Sequence, residues 1–203
     1  MAKIKLYGTS YSGNCHKPKW ILDRLGVAYD WIEVDALDGS TRTPEFLALN
    51  PAGQVPTLIL EDGRMLAQSN AMMLYFAEGT DLVPQDAYQR AKMFEWLFWE
   101  QYSHEPQIAV RIARKHYLGK RDDELEPSLL AKGNAALARM ELQLKQTPFL
   151  VADALSLADV ALVAYTRKAD LGGFNLRDYP AVRGWVVRVE ELLGIETALP
   201  ANG

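Results

Sequence analysis

The hydrophobic period of this 203-residue chain changes once, near Gly79, and the change requires two unlike folding parts. Ahead of it, residues 3–7 and 29–34 alternate apolar and polar, the pattern of half-buried strands. Between them Trp20, Ile21, Leu22 and Leu25 share one helical face that Gly26 ends. Strand, helix, strand is a βαβ unit. A short helix around Pro44-Glu45-Phe46-Leu47-Ala48 comes next. Strands at 57–60 and 64–67 follow, turned by Asp62-Gly63, and a helix over 69–77 closes the series. The order predicts an α/β domain: a four-stranded mixed sheet in the sequence βαβ, α, ββα, covered by helices. No convincing strand follows residue 79. Residues 80–86 read as a linker, and helices are expected over 88–117, 124–144, 157–170 and 182–193. Pro106 should kink or divide the first of them. The expected organisation is a domain at 1–79, a linker at 80–86 and an all-helical domain at 87–203.

Composition narrows the function. Hydrophobic residues make up 49% and charged ones 24%, an ordinary globular balance. A net charge of −4 without any Lys/Arg run argues against nucleic acid as a partner. The N-terminus lacks an apolar signal segment and no later run is long enough to cross a bilayer, so a cytoplasmic address off the membrane is expected. A single cysteine, Cys15, forbids an internal disulfide. The residues present no metal-ligand set, phosphate loop or Ser/His/Asp arrangement. Ser156-Leu157-Ala158-Asp159 reads as a capping box with aspartate in the usual glutamate place, which makes Asp159 a folding residue worth roughly 1 kcal/mol at the cap.

Pro56 stands at the mouth of a strand, where it has no N–H for the ladder. A cis Val55-Pro56 bond would turn the backbone sharply and leave the Val55 amide and carbonyl facing outward, free to pair with an extended peptide. The surrounding residues carry a resemblance. Asn50-Pro51-Ala52-Gly53-Gln54-Val55-Pro56-Thr57-Leu58, followed by Leu66-Ala67-Gln68-Ser69-Asn70-Ala71, is similar to the glutathione-binding half of a glutathione S-transferase. The likeness extends through the helical half and the Ser156–Asp159 cap. It implies a thioredoxin-like first domain that binds glutathione as co-substrate, with no metal. A helical domain would shape the pocket for a second, hydrophobic substrate, and the chain would pair as a homodimer. On this resemblance Gln68 and Ser69 receive the γ-glutamyl carboxylate at a helix N-terminus. Val55 makes backbone contacts, and Gln54 and Arg42 serve the glycyl end, Arg42 being equally readable as a solvated surface residue.

The family differs in the group that activates the thiol. Ser12 resembles the serine of theta-like enzymes, and Asn14 the asparagine of the bacterial nu class, so Ser12 is the first choice for the catalytic donor and Asn14 the second. Tyr7 belongs to the strand alternation. Tyr11 is expected to line the second-substrate pocket, with Tyr102 from the helical half and His104, Glu105 and Arg111 as candidate polar contacts. Trp96, Phe98 and Trp99 fit either that pocket or the core. Cys15 reads as a small packing residue, and His16 and Lys17 as surface. The leading function is attack of glutathione thiolate on a small electrophile, a detoxification chemistry. Glutathione-dependent disulfide or peroxide reduction is the alternative, and a non-catalytic interaction module a weaker one.

Overall fold

The computed structural model describes residues 3–198. The chain divides into two compact units, the first ending at Thr80 and the second beginning at Asp81.

In the first unit, β1 (Ile4–Gly8), α1 (Gly13–Arg24) and β2 (Tyr29–Glu33) form the βαβ unit. They are followed by α2 (Pro44–Leu49), β3 (Thr57–Ile59), β4 (Met65–Ala67) and α3 (Ser69–Ala77). The sheet order is β2-β1-β3-β4. β1 runs parallel to β2, with Ile4 opposite Tyr29, and antiparallel to β3, with Leu6 opposite Leu58. β3 pairs antiparallel with β4 through Leu58 and Leu66. This is the thioredoxin-like mixed sheet. Alternation explains its core: Ile4, Leu6 and Leu58 point to one face and pack with Leu22 of α1 and Met72 of α3. Gly26 takes a φ of +64° just beyond α1, a left-handed conformation that stops the helix at little steric cost.

The second unit is helical: α4 (Ala87–Trp99), α5 (Glu105–Ile112), α6 (Pro127–Leu144), α7 (Leu157–Thr166) and α8 (Pro180–Leu193). Pro106 does divide the long helical stretch, and the way it does so is specific. It cannot donate to the Tyr102 carbonyl, and the chain widens into a π turn over Glu100–His104, with the Glu105 N–H donating to the Glu100 carbonyl five residues back. A second π turn, Ala113–Tyr117, follows α5. Helix α7 is the buried centre, with Leu157, Val160, Leu162 and Val163 wholly enclosed. Leu82 and Val83 are buried as well, and the Leu82 carbonyl accepts the Leu157 N–H at 3.1 Å. At Gly133 the ring of Phe174 sits where a side chain would be, 2.3 Å from an added Cβ.

Asp159 is saturated with donors. One carboxylate oxygen accepts the Leu150 N–H at 2.9 Å and the Trp185 indole at 2.8 Å. The other takes the Ser156 N–H and hydroxyl, both at 2.9 Å. Burial pushes its pKa up, and these four bonds oppose that push. All of its hydrogen-bonding capacity goes to the fold.

Candidate functional site

Two helix starts meet in the first unit. Ser12 is the N-cap of α1, with extended backbone and no side-chain hydrogen bond to the helix, so its hydroxyl is not spent on capping. Gln68 is the N-cap of α3, likewise without a side-chain bond. Its φ of +69° is left-handed backbone that a residue with a Cβ rarely adopts, at a cost of about 1–3 kcal/mol. Strain of this kind concentrates at binding sites. The Ser69 hydroxyl, on a residue only 5% exposed, donates to the Asn14 side-chain oxygen at 3.1 Å and so joins the two helix starts.

Lys17 is a correction to the sequence reading, which put it on the surface. It lies one turn along α1 from Asn14, is fully enclosed at 0% exposure, and donates from Nζ to Asn70 Oδ1 at 3.4 Å. Its spacing held the signal. It sits three and four residues before Trp20 and Ile21, on the same buried stripe.

Cys15 is buried with 0% exposure, and its thiol is pushed up from 9.0 to about 11 by burial, against the opposing Thr9 backbone and Ser12 hydroxyl. At neutral pH it is a protonated packing group. Beside it the Tyr11 hydroxyl donates to Asp35 Oδ1 at 2.8 Å. Burial first, and then that bond to Asp35, raise the Tyr11 pKa. Glu33 accepts the Ser10 N–H and the Trp31 indole, each at 2.8 Å, and so fixes the loop between β1 and α1.

The 50–57 loop is ordered by Asn50, a residue the sequence reading quoted without assigning it a role. Asn50 donates to the Gln54 carbonyl at 3.0 Å and to the Thr57 hydroxyl at 2.9 Å, and Thr57 in turn donates to the Gln54 carbonyl at 2.8 Å. The Val55-Pro56 bond is cis. Neither the N–H nor the carbonyl of Val55 has a partner among the described residues. Arg42 donates to the Ala52 carbonyl at 3.2 Å and lies against Gly53, where a Cβ would stand 2.6 Å from its guanidinium. Gln54 is exposed.

The candidates in the helical unit are dispersed. Tyr102 lines a concavity of about 390 Å³ with Trp99, Ser103, Gln107, Lys132 and Arg139, while His104, Glu105 and Arg111 do not line it. The Arg139 guanidinium lies over the rings of Trp96 and Trp99, at 4.8 and 4.6 Å from their centres. Trp96 is core, and Phe98 is exposed. His104 is buried, its Nε2 at 2.8 Å from the Thr166 hydroxyl. That hydroxyl donates to the Leu162 carbonyl, so its oxygen accepts from the ring. Arg111, also buried, donates to the Gly172 carbonyl at 2.7 Å and to Asp122 at 2.5 Å. Glu105 accepts from the Gln101 side chain at 2.5 Å.

Among the described residues no group of three or more His, Cys, Asp or Glu is placed to hold a metal, and no helix is long and apolar enough to cross a membrane.

Comparison with known proteins agrees with this geometry. Residues 11–78 match the family described as Glutathione S-transferase, N-terminal domain, and residues 96–192 match Glutathione S-transferase, C-terminal domain. The crystal structure of a glutathione S-transferase from Pseudomonas fluorescens is 43% identical with a TM-score of 0.92, covering 98% of this chain and 100% of that one. Glutathione S-transferase 3 of Zea mays is 33% identical over 171 residues, 78% of this chain and 75% of its own length. The disulfide-bond oxidoreductase YfcG of Escherichia coli is 26% identical over 187 residues, 87% of this chain and 85% of its own. With both of its halves matched and its sheet and helices in the corresponding order, the chain belongs to the glutathione S-transferase family.

Proposed function

We propose that this chain is a glutathione transferase that holds the tripeptide on its first unit and presents the sulfur as a thiolate to a small, mostly hydrophobic electrophile. The observation that carries this reading is the junction of two helix starts through Ser69 and Asn14, in the same unit as a Val55 backbone with no partner among the described residues. Unpaired amides and the helix dipole favour a carboxylate at α3. There the Ser69 N–H and hydroxyl and Gln68 serve the γ-glutamyl end, the hydroxyl having a ligand carboxylate as its alternative to Asn14. Val55 pairs with the cysteinyl backbone, and Gln54 and Arg42 reach the glycyl carboxylate. Ser12 donates to the sulfur, a role supported by its freedom from capping, and Asn14 is the second donor. A free thiol ionises near 8.5, so a drop of about two units needs roughly 2.7 kcal/mol in favour of the thiolate. One hydrogen bond with the α1 dipole supplies much of that. The buried, protonated Cys15 supports chemistry carried by glutathione's own sulfur.

We assign residues 1–79 to glutathione, 80–86 to the linker and 87–203 to the second substrate, with Tyr11 and Tyr102 as aromatic contacts and His104, Glu105 and Arg111 as polar support. Exposed Phe98 and Tyr102 support association as a homodimer. The reading takes the protein as cytoplasmic, clearing reactive electrophiles. Likeness to the Escherichia coli disulfide-bond oxidoreductase favours a second reading, reduction of disulfides by glutathione. Calorimetry with glutathione tests binding. A panel of an aryl halide, an organic hydroperoxide and hydroxyethyl disulfide tests the chemistry. Turnover of the aryl halide above the other two is expected; preference for the disulfide replaces the first reading with the second, and absence of glutathione binding removes both.

A further inference from the structure

A loop that is free in solution loses backbone entropy when a ligand orders it, and that loss weakens binding. Asn50 removes this freedom from the 50–57 loop. It ends α2, where its own N–H donates to the Phe46 carbonyl at 2.8 Å, and the residue is only 2% exposed. An asparagine amide has two N–H groups to donate and one oxygen to accept. Here Nδ2 reaches the Gln54 carbonyl and the Thr57 hydroxyl, and Oδ1 accepts the Ala52 N–H at 3.1 Å. The Asn50 carbonyl takes the Gly53 N–H at 2.9 Å as well. Thr57, itself wholly enclosed, opens β3, so one side chain ties the end of α2 to the sheet across the whole loop. Val55 lies between the tied residues Gln54 and Thr57, and its N–H and carbonyl alone are left over, with no partner among the described residues. Asn50 spends its polar groups inside the loop, and the loop presents a main-chain pair.

We propose that Asn50 is a positioning residue for peptide recognition, its side chain holding the 50–57 loop in the form in which the Val55 N–H and carbonyl pair with an extended ligand backbone. This rests on the reading of the first unit as a glutathione site, and it assigns the cysteinyl N–H of glutathione as the group selected. Asn50 does not touch the ligand. It acts through Gln54 and Thr57, and the contact is made by Val55.

The test is calorimetry with two ligands, glutathione and its analogue methylated on the cysteinyl nitrogen, which has no hydrogen there for the Val55 carbonyl. Wild type should prefer glutathione. Asn50→Asp keeps the size of the side chain but turns oxygen toward Gln54 and Thr57 in place of N–H. It should weaken glutathione about tenfold and the analogue less than about twofold. Thr57→Val, which removes one of the two acceptors and keeps the branched shape, should act in the same direction by about threefold. A merely structural role would weaken both ligands alike, and that result, or an unchanged preference in folded Asn50→Asp, overturns the proposal. Should neither variant fold, amide exchange in wild type decides. The Ala52 and Gly53 amides, both bonded to Asn50, should be protected before any ligand is added, and Val55 should gain protection with glutathione. Protection of Ala52 and Gly53 that arises only with glutathione means a loop ordered by the ligand, and overturns the proposal. Wild type that binds neither ligand removes the glutathione reading itself, and this inference with it.

Discussion

The starts of α7 and α3 use similar residues for opposite purposes. At α7 the Asp159 carboxylate accepts four donors within the protein, and nothing remains for a ligand. At α3 the N-cap Gln68 makes no side-chain bond, its backbone is strained, and Ser69 is tied to a neighbouring helix start by a single bond. A polar group whose bonds are all made inside the protein is there for folding. One left under-committed in an ordered frame is there for something else. Stability and binding should therefore separate cleanly between the two helix starts.

The largest expected effect is at α7. Asp159→Ala strands the Leu150 and Ser156 amides and the Trp185 indole, and should cost about 3–4 kcal/mol in urea unfolding. Glutathione affinity per folded molecule should not change. Any loss of affinity beyond the loss of folded protein would break the contrast.

Next in size is a pH effect in the closed part of the first unit. Cys15 has its thiol raised from 9.0 to about 11 in the folded state. The unfolded chain releases that proton first, so the stabilisation is whole below pH 9 and is lost as pH rises through about 11. Two units correspond to roughly 2.7 kcal/mol. Wild type should lose about that much more stability than Cys15→Ala across this interval, read by urea titration at each pH, while identical pH profiles would contradict the burial argument.

Ser69→Ala is the mirror of the aspartate variant. It should weaken glutathione by roughly 1–3 kcal/mol in calorimetry through loss of a bond to a charged group, with a smaller change in the urea midpoint. Unchanged affinity in the folded variant would leave Ser69 only a joint between α1 and α3.

Much of this contrast was legible beforehand, for reasons that can be named. Period-two alternation marked Ile4, Leu6 and Leu58 as one face of a sheet, and the Ser156–Asp159 spacing marked a cap. Pro106 told that the long helix would be interrupted, but a missing N–H permits a kink, a break or a π turn alike, and the sequence does not choose the π turn that forms over Glu100–His104. Lys17 was misread because a charged residue suggests solvent, although its place on the stripe of Trp20 and Ile21 argued otherwise. Pro18, inside α1, offers no N–H to the Asn14 carbonyl, and the helix still runs to Arg24. Tyr11 is expected to line the second-substrate pocket, and the spacing gives no sign that its hydroxyl donates to Asp35, 24 residues away. Long-range polar pairs of that kind leave no periodic trace.

The most direct test of the central claim, that a side chain at the start of α1 acts on a bound thiol, is the thiolate absorbance of bound glutathione against pH. In wild type the thiol should ionise well below its free value near 8.5. Ser12→Ala should move it upward by about one unit or more, with little change in affinity and about a tenfold loss of rate for each 1.36 kcal/mol of thiolate stabilisation removed. Cys15→Ser should leave the titration in place. A bound thiol that titrates near its free value in wild type, or that is untouched by Ser12→Ala and by Asn14→Ala, would contradict the account.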